Sequence, residues 1–154
     1  MTQKRTSENS PLVIIDYDAG NMLSVARAFT HIGARFTITK DAEEISKAEK
    51  LILPGVGAFG KAMTDLNQNG LIEPLQRFAQ TGRPFLGICL GMQLMMESSE
   101  EFGTHQGLGL LKGHVKPIPQ TTMVGKTHKI PHIGWNRLIP TAGTSWADSI
   151  LSDQ

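Results

Sequence analysis

The chain has 154 residues, 40 % of them hydrophobic, which is enough for one domain with a buried core. Its 15 Lys and Arg residues nearly balance 14 Asp and Glu residues, which argues against nucleic acid or an anionic membrane as the partner. One cysteine cannot form an internal disulfide, so we expect a reducing, cytoplasmic location. No stretch approaches the roughly 18 apolar residues that a membrane helix needs. We expect the polar residues 1–10 to form a disordered leader.

Strand-like and helix-like segments alternate along the chain up to the cysteine. Apolar, partly β-branched runs predict strands at residues 12–17, 35–39, 50–53 and 84–88. Helical spacing of apolar residues predicts helices over 22–29, 59–66 and 71–79, and an acidic start predicts another from residue 41. This alternation predicts a flavodoxin-like α/β fold, with a mostly parallel sheet and helices on both faces. Ligands of such sheets bind beyond the carboxyl ends of the strands.

The texture of the sequence changes after Gly103. Residues 107–115 are rich in glycine and resemble a strand, and several prolines then separate short β-like pieces. Because proline is tolerated at sheet edges, we expect a short antiparallel extension of the sheet near the C-terminus.

The single cysteine, Cys89, lies where the fourth predicted strand meets a predicted amphipathic helix. Gly87 and Gly91 flank it at two residues on either side. This is the spacing of a nucleophile elbow, in which a sharp strand-to-helix turn exposes a reactive side chain. The helix N-terminus that follows favours thiolate over thiol. A lone cysteine is more often a small buried hydrophobe, but two flanking glycines favour the functional interpretation.

Four motifs carry a resemblance to a known family. Pro54-Gly55-Val56-Gly57-Ala58-Phe59 and residues 87–93 are similar to class I glutamine amidotransferases. Residues 16–25 and 131–136 are similar, more narrowly, to glutaminase subunits of imidazole glycerol phosphate synthase, a histidine-biosynthesis enzyme. The resemblance runs from about residue 12 to residue 136, and it implies one amidotransferase domain over residues 11–154. Asp18 stands where the family often has glycine, which we interpret as a tolerated loop change.

The resemblance implies how glutamine would be hydrolysed. Cys89 would attack the side-chain amide carbon of glutamine, release ammonia and leave a glutamyl thioester for water to cleave. The backbone N–H groups of Leu90 and Val56 would stabilise the oxyanion. No metal or organic cofactor is implied, since the sequence has neither a clustered Cys and His ligand set nor a Gly-x-Gly-x-x-Gly fingerprint.

The resemblance also implies binding residues and a partner. Gly55, Gly57 and Gln93 would hold the glutamine substrate. Trp135 and Asn136 would face the cyclase subunit, a (β/α)8 barrel through which ammonia passes to a nucleotide acceptor. Simpler roles stay open at this point: Gln93 as a solvated helix residue, the two glycines as parts of a tight turn, and Trp135 as core.

Near the C-terminus the family has a His-x-Glu motif, in which the histidine is the base and the glutamate two residues later orients it. None of the five histidines here is followed by glutamate at that spacing. We therefore expect a chain truncated at its C-terminus that hydrolyses glutamine very slowly or not at all. Three alternatives stay open: a non-catalytic binding subunit, a glutaminase subunit for surface-polysaccharide sugars, and a cysteine hydrolase or redox sensor.

Overall fold

Strands and helices alternate as predicted in the computed structural model, which describes residues 12–121, 124–127, 129–131, 133–135, 137–139, 143 and 145–147. Two compact units divide the chain, residues 1–117 and residues 118–154. The elements of the first unit are β1 (Leu12–Ile15), α1 (Met22–His31), β2 (Phe36–Thr39), α2 (Ala42–Lys47), β3 (Lys50–Gly55), α3 (Phe59–Gln68), α4 (Ile72–Gln80), β4 (Phe85–Cys89), α5 (Leu90–Leu94), β5 (Met96–Ser99), β6 (His105–Gln106) and β7 (Leu111–Val115). The expected leader, residues 1–10, lies outside the described residues.

The main sheet has four parallel strands in the order β2-β1-β3-β4. This confirms the predicted α/β class and all four predicted strands. β3 continues beyond the predicted Leu53 to Gly55, because Pro54 and Gly55 still pair with β4. In that register Gly55 lies opposite Cys89, so the carboxyl ends of the two strands meet.

Helices cover both faces of this sheet, as the alternation predicted. Successive strand residues point to opposite faces. Val13 and Ile15 belong to a buried cluster with residues of α2, α3 and α4, whereas Leu12 and Ile14 pack with α1 residues on the other face. Asn21 caps α1 by accepting from the Ser24 N–H, and Asp41 caps α2.

A second, separate sheet of three strands has the order β6-β5-β7. The β5–β6 pair is antiparallel, as expected for this region, but β5 and β7 are parallel. The predicted amphipathic helix after Cys89 is present as α5 but spans five residues, because the chain enters β5 at Met96. The predicted extension therefore takes the form of a small mixed sheet.

The second unit, residues 118–154, is described in part. Among its described residues, Thr121 and Thr127 form an isolated antiparallel bridge. The Trp135 side chain is fully exposed, and Asn136 lies outside the described residues. The predicted interface role of Trp135 and Asn136 stays a prediction, and so does the single domain over residues 11–154. Within the described part of the whole chain, no helix is long and apolar enough to cross a membrane.

Candidate active site

Cys89 occupies the turn between β4 and α5 in a strained backbone conformation. Its φ is 55° and its ψ is −117°, a region that residues other than glycine rarely adopt. The side chain is exposed. The chain thus has the strand-to-helix turn that the glycine spacing predicted, with the only sulfhydryl in the protein projecting from it.

The two flanking glycines are required by packing. A Cβ on Gly87 would lie 2.5 Å from the Cα of Met92. A Cβ on Gly91 would overlap the carbonyl oxygen of Leu53 in β3. Any larger residue at these positions would force the turn away from the neighbouring backbone. The glycines of the elbow pattern are therefore required because α5 begins in close contact with β3 and β4.

The segment after β3 runs beside Cys89. Gly55 is buried, and a Cβ there would lie 2.9 Å from the backbone nitrogen of Gly91. The Val56 side chain is exposed, and Gly57 has a φ of 97°, where only glycine is free of strain. Because Gly55 pairs with Cys89, the backbone of residues 55–57 lies at the mouth of the candidate site.

The buried side chain of Tyr17, which follows β1, contacts this segment, and the sequence did not predict that contact. Its side chain is fully buried, and a Cβ on Gly55 would lie 2.6 Å from its hydroxyl oxygen. Burial, with a smaller contribution from the carboxylate of Asp65, raises the pKa of Tyr17 to about 12. In the sequence, Tyr17 is marked only as part of the motif at residues 16–25, and nothing there indicates a contact with Gly55.

The other predicted residues lie on α5. Leu90 is its first residue and is buried, and its backbone N–H belongs to the first turn, where helix N–H groups have no intrahelical partner. Gln93 lies one turn after Cys89 and is half-buried. The structure therefore brings Cys89, Leu90, Gln93 and the Gly55–Gly57 backbone to the carboxyl ends of two adjacent strands.

Comparison with known proteins identifies the family. Residues 13–151 match the family model for glutamine amidotransferase class-I. The chain belongs to the class-I glutamine amidotransferases. It is 50 % identical over 145 residues to imidazole glycerol phosphate synthase subunit HisH 1 of Legionella pneumophila strain Lens, covering 94 % of this chain and 68 % of that protein. It is 52 % identical over 127 residues to the HisH subunit of Sulfurimonas denitrificans, covering 82 % and 61 %.

A third relative agrees with these two. The HisH subunit of Geobacter sulfurreducens is 47 % identical over 128 residues, with 82 % of this chain and 61 % of that protein covered. The chain spans about two thirds of the length of these relatives. Within the amidotransferase family it is therefore similar to HisH subunits, as residues 16–25 and 131–136 predicted.

Two of the described histidines of this amidotransferase chain have contacts with residues outside the Cys89 turn. His105 lies against Gly60 at the start of α3, and His114 shares a 2.7 Å hydrogen bond with the Ser98 hydroxyl. His31 ends α1. His128 and His132 lie outside the described residues. No His-x-Glu pair exists in the sequence, so no residue pair here matches the spacing of the family's base and orienting glutamate.

Two further sets of contacts were not predicted from the sequence. Glu101 accepts a 2.7 Å hydrogen bond from the Phe59 N–H and so caps α3, whose own N-cap residue has no side-chain bond. Asp18 has a φ of 69°, and its carboxylate contacts Lys40 and Asn69 at 3.4 Å each. The positive φ explains why glycine suits this position, and Asp is among the residues that tolerate it.

Among the described residues, no group of three His, Cys, Asp or Glu side chains could hold a metal.

Proposed function

We propose that this chain is the glutaminase component of imidazole glycerol phosphate synthase, the enzyme of which its HisH relatives are subunits. The observation that carries the proposal is the pairing of Gly55 with Cys89, which sets an exposed thiol beside a glycine-rich backbone segment. An acyl-transfer site needs these two parts next to each other, a nucleophile and fixed N–H donors.

In the proposed reaction, the Cys89 sulfur attacks the side-chain amide carbon of glutamine. The C–N bond breaks, the nitrogen takes up a proton and leaves as ammonia, and a glutamyl thioester remains on the sulfur. Water then cleaves the thioester to glutamate and restores the thiol. The N–H groups of Val56 and Leu90 stabilise the negative oxygen in each tetrahedral intermediate.

Gly55, Gly57 and Gln93 hold the glutamine in this proposal. Gly57 allows the substrate to approach the backbone, since it is exposed and carries no side chain, whereas the space beside Gly55 is filled by Tyr17 and α5. Trp135, whose side chain is fully exposed, and Asn136 face the cyclase barrel, which receives the ammonia. Both subunits act in the cytoplasm, where Cys89 stays reduced.

The nucleophile can be tested without turnover, which we expect to be very slow because the sequence has no His-x-Glu pair. The chain is treated with 6-diazo-5-oxo-L-norleucine, a glutamine-like electrophile, and the labelled residue is identified by mass spectrometry. We expect labelling of Cys89, protection by glutamine and loss of labelling in Cys89→Ser. Labelling no faster than by iodoacetamide, with no protection by glutamine, would contradict the proposal.

Gln93 has a matched control in Gln80, an exposed residue of α4. Gln93→Ala should raise the glutamine concentration needed for protection about tenfold, as expected for the loss of one or two hydrogen bonds. Gln80→Ala should leave it unchanged. Equal protection in both variants would remove Gln93 from the substrate site.

The partner surface is tested by sedimentation with a cyclase subunit. We expect Trp135→Ala to weaken the complex by at least about tenfold, because exposed aromatic residues often dominate interfaces. Phe102→Ala is the control, since Phe102 is also exposed but lies in the first unit. A complex unaffected by Trp135→Ala would exclude this surface as the interface.

A further inference from the structure

Tyr17 carries the one buried side-chain oxygen or nitrogen that has no hydrogen-bond partner among the described residues. Buried polar groups almost always have a partner in native proteins, so each exception needs an explanation. The rest of the side chain is ordinary core, packed in the cluster that contains Ile15, Leu53 and Leu90. The question is what the hydroxyl is for.

The hydroxyl lies against the candidate oxyanion segment. The space where a Gly55 Cβ would be is 2.6 Å from the hydroxyl oxygen, so the phenol contacts the backbone of Gly55 directly. Gly55 in turn pairs with Cys89.

The geometry of a peptide bond links the two sides of that backbone. In a planar trans peptide the C=O and the following N–H point in opposite directions. If the Val56 N–H points outward to an oxyanion on the substrate, then the Gly55 carbonyl points inward. The Tyr17 hydroxyl lies on the buried side of Gly55, the side to which a Cβ would point, so a carbonyl turned to that side would face it.

We propose that Tyr17 is a positioning residue for the oxyanion hole: its hydroxyl donates to the Gly55 carbonyl when the Gly55–Val56 peptide directs its N–H at the substrate. The inference rests on the proposed glutaminase function. In the structure the hydroxyl has no hydrogen-bond partner, so it is available for this bond. Substrate binding then creates two hydrogen bonds at once, one on each side of the peptide.

Two other observations agree with this role. Val56 is exposed and Gly57 has a φ of 97°, so side-chain packing does not lock the segment in one orientation. The pKa of Tyr17, raised to about 12 by burial, keeps the hydroxyl protonated and able to donate at alkaline pH as well as at neutral pH.

Tyr17→Phe separates this role from a packing role, because it removes the hydroxyl and keeps the ring. The rate of Cys89 modification is measured with 6-diazo-5-oxo-L-norleucine and with iodoacetamide at one alkaline pH. The ratio of the two rates cancels the thiolate fraction and the accessibility of the sulfur. It reports the part of the rate that depends on recognition of a glutamine-like group.

We expect Tyr17→Phe to lower this ratio about tenfold, the effect of one hydrogen bond, with the iodoacetamide rate unchanged. The thermal midpoint should stay equal or rise, because the unpaired hydroxyl is removed. Phe78→Leu, which disturbs the same core from α4, serves as the control and should leave the ratio within about twofold of wild type.

The outcomes separate the two proposals. If wild type prefers the glutamine-like reagent and Tyr17→Phe keeps the full preference, the role of Tyr17 is overturned and the glutaminase function stands. A parallel loss with both reagents also overturns it, because the thiol itself has then changed. If wild type has no preference and glutamine gives no protection, the glutaminase function is wrong and the role of Tyr17 fails with it.

Discussion

Tyr17 is the single tyrosine of the chain, so its ionisation can be followed without interference from another phenol. Burial raises its pKa to about 12 in the folded chain, whereas an unfolded tyrosine titrates near pH 10. The folded state therefore keeps the proton over a range in which the unfolded state loses it. By proton linkage, the stability contribution of the neutral phenol is fully present below pH 10 and is lost as the pH rises through 12.

The size of the effect follows from the two pKa values. At about pH 11, ionisation stabilises the unfolded state by roughly 1.4 kcal/mol and the folded state by less than about 0.1 kcal/mol. The free energy of unfolding of wild type should therefore fall by about 1.3 kcal/mol more than that of Tyr17→Phe between pH 9 and pH 11. Other ionisable groups are shared by the two proteins and cancel in the difference.

Two measurements check this. Absorbance at 295 nm should give a tyrosine midpoint near pH 12 in the folded chain and near pH 10 in urea. Urea unfolding of both proteins at pH 9 and pH 11 gives the stability difference. A folded-state midpoint near pH 10, with circular dichroism showing native structure, would refute the burial of the phenol and the contact with Gly55. An equal pH dependence in wild type and variant would refute the linkage.

Two substitutions test the frame of the site. Gly91→Ala should destabilise the fold by about 3 kcal/mol or more, because the new carbon would overlap the backbone of β3. The control Gly33→Ala should cost about 1 kcal/mol, because Gly33 has open space around it but a φ of 72°. Equal losses of stability in urea unfolding of the two variants would contradict this. Glu101→Ala should cost about 1 kcal/mol through the lost cap on Phe59, and the exposed neighbour Glu100→Ala less than about 0.5 kcal/mol. A thermal midpoint that falls equally in both glutamate variants would exclude the capping role.

The parts of the fold that local patterns determine could be predicted from the sequence. β1 and β3 are short apolar runs, and central strands buried on both faces need little else. The Cys89 turn followed from the spacing of Gly87 and Gly91, because close packing there admits no side chain. Family resemblance added the assignment of Gly55–Gly57, which no local pattern connects to Cys89.

The parts that depend on distant contacts could not. β5 was missed because Met92, Met95 and Met96 continue a helical spacing, and the strand forms only where β6 and β7 pair with it. The cap on α3 comes from Glu101, 42 residues away from Phe59. The contact of Tyr17 with Gly55 likewise requires β1 and β3 to be adjacent, which the sheet order determines.

The position of β4 in the sheet has a consequence for handling the protein. In the described sheet β4 has one neighbour, β3, so its other side presents unpaired N–H and C=O groups, and its Leu86 side chain is exposed. Such an edge is a template for pairing with a strand of another molecule. Pro84 directly precedes the strand and limits its extension, as a proline at a strand end does. Because Cys89 ends this edge strand, pairing of two molecules along β4 would bring the thiol of each molecule to the contact.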